Sequence, residues 1–181
     1  MQSASIIISL LTRLSGAISK GLMLVLIIPL ATALALAIPA TTTLALIGST
    51  LVIEYGAAPV GVGLGLPPLF VFFVLASVGL GVIIALFDLF DSIGDHSEQV
   101  RQFLDRSKKR AESSAILTKY GIYGLFVVVL TLGFYICPPI AWICGWDRKR
   151  SILFTMAGYL IISAILILVT GDILRILLPQ T

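Results

Sequence analysis

The chain has 181 residues, 59% of them apolar and 12% charged, against roughly 45–50% and about 25% in soluble domains. So few charges cannot cover a water-facing surface, which excludes a soluble enzyme or nucleic-acid-binding domain despite a pI near 9.0. Two cysteines and one histidine are too few for a disulfide framework or a metal cage, so 1–181 is expected to be one integral membrane domain without metal or cofactor.

Residues 3–20 place Ile7, Leu10, Leu11, Leu14 and Ile18 on one helical face with Ser9, Thr12, Arg13 and Lys20 opposite. That is the pattern of an amphipathic helix lying on a membrane surface. Beyond it, the segments 21–53, 55–87, 120–146 and 151–171 contain no Asp, Glu, Lys, Arg or His. About 20 residues of helix cross a hydrocarbon core of roughly 30 Å, so the first two segments are too long for one span each. The third is interrupted by Gly133 and by Pro138 and Pro139. Proline lacks a donor and clashes with the turn before it, so neither arm of 120–146 is expected to span alone.

In chain order, 21–40 is predicted to cross outward, bent at Pro29, and 44–66 to dip in and return. Residues 69–87 cross back. The segment 88–119 is a polar cytoplasmic linker with a second amphipathic helix, its acids (Asp88, Asp91, Asp95, Glu98) preceding six basic residues in the sense that suits a helix dipole. A solvated surface helix accounts for that segment as well as headgroup binding does. Residues 120–146 enter and return, and 151–171 cross outward. With this layout all of the twelve Lys/Arg except Arg175 face the cytoplasm, as the positive-inside rule requires; a full span at 120–146 would put its two basic flanks on opposite sides.

The expected fold is therefore an all-α integral membrane protein. It has about three full transmembrane helices, two opposed re-entrant hairpins in an inverted repeat, and amphipathic surface helices. The halves are 21–87 and 120–174, as in secondary transporters, whose sites lie at broken helices near the midplane. The sequence echo of the repeat is faint: 54–59 set against 133–138 share a proline, an aromatic and a small residue. The expected location is the cell membrane, multi-pass, with the N-terminus and the 88–119 linker cytoplasmic.

Glu54 is the sharpest signal, the one charged side chain between Gly21 and Phe87. A charge at the bilayer centre costs about 3 kcal/mol on insertion scales, so intramembrane acids are paired, protonated or line a cavity. Beside Tyr55 and Gly56 and before Pro59, it sits where a helix should break, which suits an ion-coupling carboxylate; a hairpin cap is the plainer reading. The matching positions of the second hairpin, Gly133, Tyr135 and Pro138, complete a candidate substrate site. Arg148 and Arg150 are either a topology anchor or a phosphate clamp. Gly61, Gly63 and Gly65 fit helix packing rather than a nucleotide loop, and Trp142 and Trp146 fit interfacial anchors. Cys137 and Cys144 read as packing thiols, His96 as a solvated linker residue, and Asp172 as an interface marker. No nucleophile–base pair is discernible, so an enzyme is not expected.

The run 53–68, IEYGAAPVGVGLGLPP, resembles the first motif of the family named small multi-drug export. Lys119 to Gly121, Gly133 to Tyr135 and Gly145 to Arg150 look like its second-half landmarks. The resemblance covers about 40–170 and implies kinship with the DedA, or VTT-domain, superfamily. It also implies two opposed re-entrant hairpins and a role in moving lipids such as a polyprenyl phosphate or a phospholipid, coupled to protons or sodium. Arginines in the second hairpin would hold the phosphate there; in this chain Arg148 and Arg150, at the hairpin's end, are the candidates.

Three readings follow. The first is a secondary transporter or flippase for an anionic lipid carrier, with Glu54 as coupling acid. The second is a proton-coupled exporter of small cations or drugs. The third is a non-transporting scaffold or scramblase-like module, dimeric through its glycine faces. Membrane lipids are the expected partners, and nucleic acid is not one.

Overall fold

The computed structural model describes residues 15–16, 18–94 and 121–177. Of the surface helices expected at 3–20 and 97–119, all but 15–16 and 18–20 lie outside them. The described residues are helices and turns with no strand among them, as the composition requires.

Helix α1 spans Ile18–Ala35. Where a bend was expected, its turn Met23–Ile27 is a π-helix that ends just before Pro29. Proline cannot donate to the preceding turn and its ring crowds that turn, so the helix widens there. Helix α2 (Ala40–Ile53) ends at Glu54, whose φ is +53°. A 3-10 turn, Glu54–Gly56, leads into the short helix α3 (Ala57–Gly63), and α4 runs over Pro68–Gly94. α4 thus continues past Phe87 and carries Asp88 and Asp91 on its last turns.

In the second part a 3-10 turn, Gly121–Tyr123, opens α5 (Gly124–Leu132). Gly133, with φ +88°, ends it. Helix α6 is Cys137–Ile143 and α7 is Arg148–Leu177. Gly133 and the two prolines therefore break the segment where the sequence says they must.

The chain doubles back at each break. Gly61 of α3 packs against Leu46 of α2 so closely that a Cβ would press on it, and Cys137 Sγ of α6 reaches the Leu125 carbonyl of α5. The two short helices also end alike. The N–H groups of Leu64, Gly65 and Leu66 donate to Val60, Val62 and Gly61, and those of Cys144, Gly145 and Trp146 donate to Ile140, Trp142 and Ala141. Gly65 and Gly145 take φ of +75° and +66°, the left-handed cap that glycine adopts without strain. Every one of these positions recurs 80 residues on, the separation that also relates Glu54 to Phe134. Pro59 therefore matches Pro139, not Pro138. The alignment of 54–59 with 133–138 is one residue out of register, because the hydrogen-bonded caps, rather than the faint residue likeness, define equivalence.

The long helices α4 and α7 are antiparallel: Gly79 packs on Tyr159, while Asp88 and Asp91 near the end of α4 bind Arg148 at the start of α7. α1 runs antiparallel to α4, with Gly21 on Ala85 and the Ser77 hydroxyl donating to the Leu24 carbonyl. Each short helix packs on both long helices. The core between them holds Leu46, Val71, Leu75, Val78, Leu125, Val129, Phe134 and Tyr159.

Outside this core the surface is apolar, with Leu69 84%, Val52 80% and Leu168 68% exposed, a surface that suits lipid rather than water. Ile18–Ala35, Ala40–Gly63, Pro68–Ser92 and Arg148–Leu174 are each long and apolar enough to cross a membrane. The second of them is bent at Glu54. Gly121–Leu132 is apolar but shorter.

Candidate functional site

The two breaks meet. Glu54 Oε2 accepts the backbone N–H of Phe134 at 2.8 Å, a donor freed because α5 stops at Gly133. The carboxylate lies directly over Gly133, where any Cβ would overlap it. The Tyr135 hydroxyl returns the contact, donating at 2.6 Å to the Leu51 carbonyl in the last turn of α2. A non-glycine residue held at φ +53° costs about 1–3 kcal/mol. The Phe134 N–H on the carboxylate and the Tyr135 hydroxyl on the neighbouring Leu51 carbonyl hold the turn there.

Beside the carboxylate is a cavity of about 240 Å³, lined by Ile53, Glu54, Tyr55, Thr131, Leu132 and Gly133, with Val52 at its edge. The flanking Val52 and Leu132 are 80% and 59% exposed, so the cavity opens at the apolar surface. No Lys or Arg is among its lining residues; its one formal charge is Glu54.

Behind the carboxylate lies α7, which packs on the Glu54–Gly56 turn. Ser151, Thr155, Tyr159 and Ser163 recur every fourth residue along α7, and all four are buried. The Tyr159 ring stands edge-on to Phe134, 4.9 Å between centroids.

At the far end of the bundle, Arg148 bridges Asp88 and Asp91, the second at 3.0 Å. Trp142 Nε1 donates to Asp91 at 3.1 Å, and the guanidinium lies 5.6 Å from the Phe87 ring centroid. This cluster ties the end of α4 to α6 and α7.

A family model described as "Putative small multi-drug export protein" matches residues 54–165. The chain belongs to that family. The matched stretch begins at Glu54 and takes in both breaks, the cavity lining except Val52 and Ile53, and Tyr159. No curated protein and no solved structure matches the chain.

Of the residues singled out in the sequence, the fold brings Glu54, Tyr55, Gly133 and Tyr135 to one place. Gly56 lies in the 3-10 turn against Ile53, Pro59 within α3, and Pro138 buried in the first turn of α6. Arg148 is bound to two aspartates away from the cavity. Arg150 is exposed, and its backbone N–H donates to Asp147, which caps α7. Among the described residues no three His, Cys, Asp or Glu side chains stand close enough to hold a metal ion.

Sequence reasoning did not single out Tyr159 or the Arg148 partners. Both leave a trace: the polar residues of α7 repeat at helical spacing, and Asp88 and Asp91 are three apart on one helix.

Proposed function

We propose that the protein is a secondary transporter that exports lipophilic cations against protons, each occupying Glu54 in turn. The observation that carries this reading is the open cavity whose one charge is a carboxylate. Such a site attracts a cation and repels a phosphate, and an opening between lipid-facing side chains admits a molecule from the bilayer. The family description points the same way. The opening also favours amphiphiles, which keeps an anionic lipid carrier as the second reading. That substrate would need a cation at the cavity, and Arg148 is committed to Asp88 and Asp91.

The membrane layout belongs to the same proposal. α2 has 14 residues and α5 has 9, about 21 Å and 14 Å of helix against a core of roughly 30 Å. Both arms are therefore read as re-entrant. The caps of α3 and α6 adjoin the starts of antiparallel helices, which supports opposed hairpins, an inverted repeat and, through it, the DedA kinship. The charged end at Arg148 is read as cytoplasmic.

The test is flux of tetraphenylphosphonium and of a polyprenyl phosphate in proteoliposomes, with and without a proton gradient. Glu54→Gln keeps an acceptor for the Phe134 N–H but cannot titrate. Proton-driven cation flux is expected to fall at least about tenfold, a barrier rise of about 1.4 kcal/mol. Undiminished flux in Glu54→Gln sinks the coupling. Gradient-independent movement of the lipid alone would establish the second reading, and no flux of either would favour a scaffold.

A further inference from the structure

Tyr159 is fully buried, and its hydroxyl has no hydrogen-bond partner among the described residues. A buried polar group left unsatisfied costs about 1–3 kcal/mol, and native proteins rarely leave one so. Phenylalanine would supply the same ring without that cost. The fold nevertheless makes room for this residue: α4 has Gly79 opposite it, where a Cβ would stand 2.8 Å from the tyrosine ring.

The Tyr159 ring also stands against Phe134, the residue whose N–H holds Glu54. Other polar groups here are engaged. Ser163 donates to the Tyr159 carbonyl at 2.8 Å, the Cys137 thiol donates to the Leu125 and Gly133 carbonyls, and the Tyr135 hydroxyl is used on Leu51. The titratable groups facing Glu54 from the second half of the chain are Tyr135, Cys137 and Tyr159.

We infer that Tyr159 is a positioning residue for Glu54, its hydroxyl donating to the carboxyl group once that group has left the Phe134 N–H. The inference rests on the coupling role of Glu54 proposed above. It gives the acid two seats. In one, the carboxylate faces the open cavity and is held by the backbone of the second break. In the other, it turns toward α7 and is held by Tyr159, out of contact with the cavity. A coupling acid that exchanges a proton and a cation on different sides needs such a pair of positions. A donor left idle in the first seat is what the second requires.

The experiment compares Tyr159→Phe and Glu54→Gln with the wild-type full chain in lipid. Tyr159→Phe removes an unsatisfied hydroxyl, so the thermal midpoint is expected to stay or rise, while proton-driven tetraphenylphosphonium flux falls about tenfold. The infrared carbonyl band of protonated Glu54, assigned as the band missing from Glu54→Gln, is expected to move to higher frequency when its donor is lost. Ser163→Ala is expected to change neither readout.

Flux within about twofold of wild type together with an unmoved band overturns the assignment, as does a Ser163→Ala variant that reproduces Tyr159→Phe. A lowered thermal midpoint with an unmoved band would show a merely structural tyrosine and also overturn it. If Glu54→Gln itself transports normally, the coupling reading fails first. If Glu54→Gln is inactive and Tyr159→Phe is normal, only the second seat falls.

Discussion

The break at Glu54–Gly56 and the break at 133–136 occupy equivalent places in the chain, yet they do opposite jobs. The first supplies a carboxylate and an orphan carbonyl at Leu51; the second supplies a bare N–H at Phe134 and a hydroxyl at Tyr135. Each provides what the other lacks. Ending a helix frees donors or acceptors that must be satisfied inside a low-dielectric medium, and two breaks placed together satisfy one another. Two short helices with the same cap pattern, 80 residues apart, thus follow an acid in one case and an amide cradle in the other.

The largest expected effect comes from filling the cradle. Gly133→Ala puts a side chain where Glu54 now lies and forces φ +88° on a residue with a Cβ. A loss of about 1–3 kcal/mol from backbone strain is expected, with cation flux abolished. Thermal unfolding in detergent and proteoliposome flux would measure the two. A variant as stable and active as wild type would mean that the two breaks do not meet.

A smaller effect is expected at the end where the halves are joined by charge. Arg148→Ala leaves Asp88, Asp91 and the Phe87 face without their partner. The cluster is partly exposed and screened, so about 1 kcal/mol of stability is expected to be lost. Added salt should narrow the difference between wild type and variant. A salt-independent loss would mean that packing on Phe87, not charge, makes the joint.

The smallest is Tyr135→Phe, which removes the hydroxyl donated to Leu51 and keeps the ring against Phe134. About 0.5 kcal/mol, the low end for one hydrogen bond, is expected because this one is exposed. Amide exchange should rise in the last turn of α2 rather than in α5. Faster exchange confined to α5 would show that the hydroxyl does not brace the first break.

Much of this was legible beforehand because apolar sequence leaves few choices. Glu54 stands alone among uncharged residues, so its singularity needs no structure. Gly133, Pro138 and Pro139 forbid a continuous helix, and a helix is not found there. The repeat register was not legible: 54–59 and 133–138 share too few residues, and a shift of one costs nothing in similarity but moves every side chain. Arg148 illustrates the other limit. Near the end of the second hairpin it reads as a free phosphate ligand, but its partners are some 60 positions away on another helix.

The sequence by itself determined that this chain suits a membrane, that its helices break near Glu54 and Gly133, and which residue carries the misplaced charge. Those outcomes follow from composition and from the local chemistry of proline and glycine. Only the tertiary structure decided what Glu54 touches, that Arg148 is already paired, and that the buried Tyr159 hydroxyl has no partner among the described residues. These depend on α4 and α7 crossing antiparallel, which brings side chains far apart in sequence within bonding distance.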